Sequence, residues 1–445
     1  MQLTPDATEL TRRAFARLDA RLSKAVDRPL ALALSGGGDS LALLRLSAEW
    51  ARDRGRRLLA LTVDHGLNPD SGRWTDFAGE AARAAGADWR AMSWSGDKPR
   101  TGLTAAARAA RHRLIAEAAR ASGASVILMA HTADDIAEAD LMRAEGATLG
   151  RVREWSPSPV WPEGRGLMLL RPLLGERRAA LRDWLAQQGA DWIEDPGNAD
   201  LRFGRSRARQ ALGGRLDTAL AEASASAQDG CAVTVDDAGV ATTGRTVSAR
   251  AVAAALVCVG GGSVPPRGER LARLMGRLRD GETFAASLCG ARIEAGAQVV
   301  LMREAGEMRR RGRPPLDLHP GQAAVWDGRF LFRASQPGWT AAAADGRLSQ
   351  LAAADRAVLN RLPAAARASA PLLVREGMAP ILAHDSVERR GLVAERLRLA
   401  LDETTHEDDL NPATNGATPR ERLFSAPDNP DRRARPARAD DRGLL

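Results

Sequence analysis

Two clusters of residues in the first third of this 445-residue chain have types and spacings suited to chemistry on phosphates and on amines. The first is Ser35-Gly36-Gly37-Gly38-Asp39-Ser40, which follows an apolar run at 29–34 and precedes a stretch that reads as helix from 41 to 53. Consecutive glycines let the backbone turn with positive φ and approach a ligand closely. The helix start beyond them offers free N–H groups and about half a positive charge to an oxyanion. Ser35 and Ser40 add hydroxyls. Asp39 would repel a bare phosphate, so its place is explained by Mg2+ held against one. A second glycine run, Gly260-Gly261-Gly262-Ser263, has no acid and is followed by Val264-Pro265-Pro266, so it reads as a loop.

The second cluster is His131-Thr132-Ala133-Asp134-Asp135-Ile136-Ala137-Glu138, at the start of another helix. Asp135 and Glu138 are three residues apart and share a helix face. Acids at a helix start also suit the dipole. Three of them beside His131 make a denser group than capping requires, one that can bind Mg2+ with Asp39 or hold a cationic substrate. Val63-Asp64-His65-Gly66 ends a strand and walls the pocket beside the phosphate loop. Arg108 and Arg111 lie on one face of a helix, and Arg205, Arg207 and Arg209 follow a turn at 195–198. Such arginines are either a solvated face or guanidinium forks for phosphate and RNA backbone.

The elements that must position these groups alternate. Strand-like runs at 30–34, 57–63, 89–94, 125–129 and 167–170 are separated by helical stretches at 40–54, 73–85, 104–122 and 133–143. That alternation predicts an α/β fold with a parallel sheet covered on both faces. Ligands in such sheets sit beyond the carboxyl ends of the strands. Ser35, Asp64 and His131 each follow a strand end, so all three are expected on one edge. A helix at 176–188 and a helical connector at 206–228 come next. From about 232 the chain reads as short strands with one helix near 266–278, then a basic linker at 309–315. A small domain at 321–401 closes with residues 387–391 and a short helix. The boundaries predicted are a nucleotide domain at 1–210, a connector and specificity domain at 211–315, a small domain at 316–402 and a disordered tail at 403–445.

Net charge is +8, and Lys24 and Lys98 are the only lysines. A GC-rich genome explains arginine abundance, but a basic balance also favours a polyanionic partner. No run of about 18 apolar residues occurs, so no membrane span is expected. The start of the chain lacks a basic segment followed by an apolar one, so no secretion signal is read. Cys231, Cys258 and Cys289 are far apart and form no Cys-x-x-Cys. That pattern suits a reducing cytoplasm and offers no zinc site.

No Gly-Lys-Ser/Thr occurs, so the phosphate loop is not a Walker motif. It resembles the pyrophosphate loop of the N-type ATP pyrophosphatases. The ordered series of the 35–40 loop, Val63-Asp64-His65-Gly66, Ala107-Arg108-x-x-Arg111, the 131–138 acids, Leu170-Arg171-Pro172-Leu173-Leu174, and Glu194-Asp195-Pro196-x-Asn198 with Phe203-x-Arg205-x-x-x-Arg209 resembles the tRNA(Ile)-lysidine synthetases. The likeness is strong from about 30 to 209 and weaker over 247–303. It implies an adenine nucleotide alpha-hydrolase-like domain followed by smaller α+β domains. It implies ATP, Mg2+, free L-lysine and a tRNA(Ile) with a CAU anticodon, with no membrane; a homodimer is left open. In that family ATP adenylates the C2 oxygen of the wobble cytidine, and the lysine ε-amine then attacks C2 and expels AMP. Carried onto this chain, Ser35, Gly36, Gly37, Gly38, Asp39, Ser40, Asp64 and His65 take ATP. His131, Asp135, Glu138 and Arg205 serve lysine and the chemistry, with the two acids on the amine and Arg205 on the carboxylate. Asp39 and Asp134 take the metal, and Arg108, Arg111, Arg207 and Arg209 contact tRNA or phosphate. The chain departs from the family at His112 (usually Tyr), Ala139 (usually Thr), 144–146 (where a glycine is expected directly after Arg143) and Ser206 (usually Asn). A tRNA thiolase would call for paired cysteines, and an amidotransferase for a nucleophilic cysteine near the N-terminus; neither is present. A non-catalytic RNA-binding protein with a decayed nucleotide domain is opposed by the intact loop and acids.

Overall fold

The computed structural model describes residues 5–24, 27–146, 150–195, 204–213, 233–312 and 314–410. Two compact units emerge, Met1–Gly230 with Glu395–Ala413, and a second built on Cys231–Ala394. Among the described residues no helix is long and apolar enough to cross a membrane.

The first unit runs α1 (Pro5–Asp19), β1 (Leu30–Ala33), α2 (Gly38–Asp53), β2 (Leu58–Asp64), α3 (Ser71–Ala84), β3 (Asp88–Ser93), α4 (Leu103–Ala121), β4 (Val126–Leu128), α5 (Ala133–Ala144), β5 (Trp155–Pro157), β6 (Met168–Leu170), α6 (Arg178–Gln187) and α7 (Gly204–Leu212). Its six strands lie in the order β3-β2-β1-β4-β6-β5, all parallel except β5 at the edge. Alternation along the central strands feeds two cores. Leu30, Leu32, Val126 and Leu128 face one, shared with Leu10, Ala14 and Leu18, which recur every fourth residue along α1, and with Leu22 just beyond it. Ala31 and Ile127 face the other, packed on Ile115, Ala116 and Ala119 of α4. A strand buried on both faces has no polar side to show, which is why β1 and β4 read as unbroken apolar runs. The order reverses between β1 and β4, and the crevice at such a switch point is where doubly wound sheets take their ligands.

The second unit is antiparallel. Its larger sheet is β7 (Thr234–Val235), β8 (Ala241–Thr243), β9 (Phe284–Leu288), β10 (Ala291–Ala295) and β11 (Val299–Arg303), in the order β7-β8-β11-β10-β9. Helices α8 (Ala249–Val259) and α9 (Gly268–Arg279) precede β9, and two three-stranded sheets complete the unit. The Gly260–Gly262 run is a loop, as expected. It is also a close crossing: a Cβ on Gly261 would lie 2.0 Å from the Asp327 carbonyl oxygen.

Two expectations differ from the observed fold. Helix α8 is additional to the one helix, near 266–278, that the sequence predicts in this part of the chain. Around the 309–315 segment, α10 (Ala305–Arg310) falls in the same unit as the two small sheets after it. The tail assigned from 403 begins with ordered residues: Glu407 is 2% exposed and paired with Arg56. The rest of that tail, 411–445, lies outside the described residues, as do 196–203 of the Asp195–Phe203 motif and most of the 206–228 connector.

Candidate active site

β1 ends at Ala33, and the chain then turns through Ser35–Gly37 into α2. Gly36 has φ +83, and a Cβ there would lie 2.5 Å from Ile193 Cδ1. Glycine is therefore required both for the conformation and for the packing of the 191–195 segment, whose Ile193 N–H donates to the Gly36 carbonyl at 3.0 Å. Gly37 caps α2 with no side chain on the free N–H groups. The turn is braced from inside: Ser40 Oγ donates to the Gly37 carbonyl at 2.8 Å and accepts from the Ser35 N–H at 3.2 Å. A helix start left open in this way is an oxyanion cradle.

A cleft of about 510 Å³ opens on this edge of the sheet, lined by Ser35, Gly37, Gly38, Asp39, Ser40, Asp64, His65, Arg108, Arg111, His131, Asp135, Arg205 and Arg209 among others. Ser35, Asp64 and His131 thus meet, as their places at or just beyond the carboxyl ends of β1, β2 and β4 require. Asp64 Oδ1 accepts from the Gly66 N–H at 2.7 Å, closing the turn that carries His65. The His65 ring stands edge-on to Trp94, and burial lowers its pKa, with the Arg111 charge adding to the effect.

Thr132 and Asp135 form a capping box at the start of α5, with Asp135 Oδ2 accepting from the Thr132 N–H at 2.9 Å. Burial works against the Asp135 charge, but the His131 ring, the Thr132 N–H and the guanidiniums of Arg178 and Arg205 outweigh it and lower its pKa. Glu138, one turn on, is 1% exposed and does not itself line the cleft. Its Oε1 accepts from Arg209 Nε at 2.8 Å, and its Oε2 is buried with no partner. His131 Nδ1 accepts from Arg171 Nε at 3.1 Å. A guanidinium only donates, so the ring proton of neutral His131 resides on Nε2. Burial, reinforced by the Arg171 charge, pushes the His131 pKa down to about 3.

Sequence reasoning missed the residue that ties the two clusters together. Arg178, the first residue of α6, donates from Nε to Asp39 Oδ2 at 3.0 Å and from Nη1 to Glu138 Oε1 at 3.1 Å. Burial would lower its pKa, but Asp39 and Asp135 more than offset that and raise it. The available signal was the pair Arg177-Arg178 at a helix start, where the dipole disfavours cations unless acids compensate. Arg171, in sequence terms one member of the 170–174 motif, sets the His131 tautomer.

Two residues sit apart from the cleft. Asp134 Oδ2 accepts from the Arg178 N–H at 2.8 Å, and Asp134 does not line the cavity. Arg207 is exposed on a different face of α7 from Arg205 and Arg209, which are four apart and both reach the acids. Asp39 fits a cation differently: Oδ1 is buried and unpartnered, and burial pushes its pKa up in spite of the Arg178 charge. Among the described residues no group of three or more His, Cys, Asp or Glu side chains is placed to hold a metal. Mg2+ commonly takes one or two carboxylates and completes its shell with substrate phosphate and water.

An oxyanion cradle at the switch point of a doubly wound parallel sheet, with an acid at the cradle's helix start, defines a nucleotide-binding domain of the PP-loop class. The family model described as a PP-loop domain matches residues 10–216. The chain is 48% identical over 396 residues to the tRNA(Ile)-lysidine synthase of Caulobacter vibrioides, covering 87% of this chain and 96% of that one. It is 37% identical over 305 residues to the enzyme of that name from Hyphomonas neptunium, covering 63% of this chain and 82% of the relative. This chain belongs to the tRNA(Ile)-lysidine synthase family. A solved U34-tRNA thiolase, NcsA from Methanococcus maripaludis, aligns with 47% of this chain and 73% of its own at a TM-score of 0.40 and 18% identity.

Proposed function

We propose that this chain joins L-lysine to C2 of the wobble cytidine of a tRNA(Ile) with a CAU anticodon, splitting ATP into AMP and PPi. One observation supports the reading: the oxyanion cradle and the buried acids at the start of α5 lie at the same edge of one sheet, joined by Arg178. The open N–H groups of α2 and the Ser35 hydroxyl bind the departing pyrophosphate. Asp39 fits Mg2+ through its unpartnered Oδ1, and the metal would supply charge neutralisation on the phosphates. Asp134, whose Oδ2 accepts from the Arg178 N–H, is the second carboxylate proposed for that ion.

Asp64 and His65 wall the nucleoside. Arg108 and Arg111, which line the cleft, face the tRNA strand carrying the cytidine. Asp135 and Glu138 hold and orient the lysine side-chain amine, and Arg205 takes the amino-acid carboxylate. The amine must lose a proton as it attacks C2. Asp135, the member of the acid pair that lines the cleft, is the proposed acceptor for it. The C–O bond to adenylate breaks as the C–N bond forms, and AMP leaves.

The test is product analysis with unmodified tRNA(Ile) transcript, ATP and lysine. PPi should appear with tRNA present and AMP only when lysine is added, with the wobble nucleoside heavier by one lysine less water. AMP release that ignores lysine, or an unchanged wobble base, refutes the reading.

A further inference from the structure

Three carboxylates and three guanidiniums meet under the phosphate loop. Arg178 contacts Asp39 and Glu138, and its Nη2 lies 3.8 Å from Asp135 Oδ2. Arg209 Nε donates to Glu138 at 2.8 Å, and Arg205 Nη1 lies 3.8 Å from Asp135 Oδ1. Each of these acids thus already lies beside at least one guanidinium. Free lysine carries two ammonium groups and one carboxylate, a net positive charge. Bringing it onto these acids without releasing a cation leaves an unpaired charge in a largely buried cluster, which is strongly unfavourable.

Arg178 is the cation placed to yield. Of the three arginines, it alone touches both a phosphate-loop acid and the amine-binding acids. Its backbone is fixed, because its N–H donates to Asp134 Oδ2 at 2.8 Å. Only the guanidinium can swing. Its place at the first residue of α6 is the positive end of that helix, so the helix dipole gives the charge no support there. The acids hold it, and a triphosphate in the adjoining cradle is an anion that competes for it.

We infer that Arg178 is a positioning residue that stands in for the substrate amine. Without nucleotide its guanidinium occupies Asp135 and Glu138. A triphosphate at the 35–40 loop draws it toward the phosphates and opens those acids to the lysine ammonium. The inference rests on the cleft being the ATP and lysine site. It makes the two binding events one linked equilibrium: nucleotide tightens lysine binding, and lysine tightens nucleotide binding by the same factor.

Calorimetric titration of lysine into the full chain, with and without a Mg2+ complex of α,β-methylene ATP, tests this. For the unaltered protein the analogue should tighten lysine binding about fivefold or more. Arg178→Gln should bind lysine without nucleotide at least as tightly as the parent does. In that variant the enhancement by the analogue should fall to about one. Arg178→Lys, which keeps a charge on a flexible stem, should retain part of the enhancement, and it carries the test if the Gln variant does not fold. A purely structural role would weaken lysine binding equally with and without nucleotide. That result, full enhancement in either variant, or no enhancement in the parent overturns the inference. A parent protein that binds neither lysine nor the analogue instead overturns the reading of the site.

Discussion

At the scale of single residues, burial decides which groups do chemistry and which are merely tolerated. Asp39 keeps one oxygen on Arg178 and leaves the other buried and unpartnered, an arrangement that is costly unless a cation arrives. Asp39→Asn should slow AMP formation about a hundredfold or more, the scale of losing one electrostatic contact in a preorganised site. Retained tRNA affinity in a filter-binding assay would assign the loss to phosphate chemistry, and its disappearance would not fit the role given. His112 is a different case. It is 5% exposed, its Nε2 has no partner, and burial beside Arg111 and Arg108 pushes its pKa from 6.5 to about 3. Because the folded pKa is below the unfolded one, the unfolded chain takes the proton first. Stability is therefore lost as pH falls from about 6.5 toward about 3, with ~2 kcal/mol gone by pH 5. His112→Leu should remove that increment, so that denaturant midpoints of variant and parent diverge between pH 7.5 and pH 5. Parallel pH profiles for the two would contradict the assignment.

At the scale of elements, what could be read from the sequence was whatever is local. β1, β2, β3 and β4 and the helices between them follow from apolar runs and their spacing, and the switch point follows from their order. Helix α8 was not legible. Its sequence, Ala249–Val259, is apolar almost throughout, and a short buried run has no polar face to reveal its period. Arg178 was not legible either, because its partners Asp39 and Glu138 are 139 and 40 residues away in the chain. The arginines of α7 show what helix geometry adds: 205 and 209 share a face on the acids, and 207 does not. Arg205→Ala should raise the lysine KM about tenfold, the worth of one charge-assisted contact, with little change for ATP. Arg207→Ala should leave the lysine KM unchanged. Equal effects of Arg205→Ala on both substrates would move that residue out of the amino-acid pocket.

At the scale of the whole molecule, the chain leaves the first unit near 230 and returns to it at Glu395. The returning segment braces the sheet from the end opposite the cleft. Glu407 accepts two hydrogen bonds from Arg56, at 2.7 and 2.8 Å, and one each from the Ser23 N–H and Ser125 Oγ. Trp155 Nε1 donates to the Thr404 carbonyl at 2.9 Å. Arg56 and Ser125 stand just before β2 and β4, so one acid ties the amino ends of two central strands to the helical layer. Composition assigns this stretch to a polar tail, because nothing local shows a partner 351 residues away. Breaking such a pair strands a buried charge, so Glu407→Gln should destabilise the first unit by about 3–5 kcal/mol. Replacing both partners, as in Arg56→Met with Glu407→Leu, should recover most of that loss, because no ion is then left buried. Thermal unfolding of the three proteins measures the difference. Since the brace is remote from the phosphate loop, the ATP KM of Glu407→Gln should match the parent at temperatures where both are folded. A change in that KM would mean that the amino ends of the strands and the cleft at their carboxyl ends move together, and that the returning segment acts on the site as well as on stability.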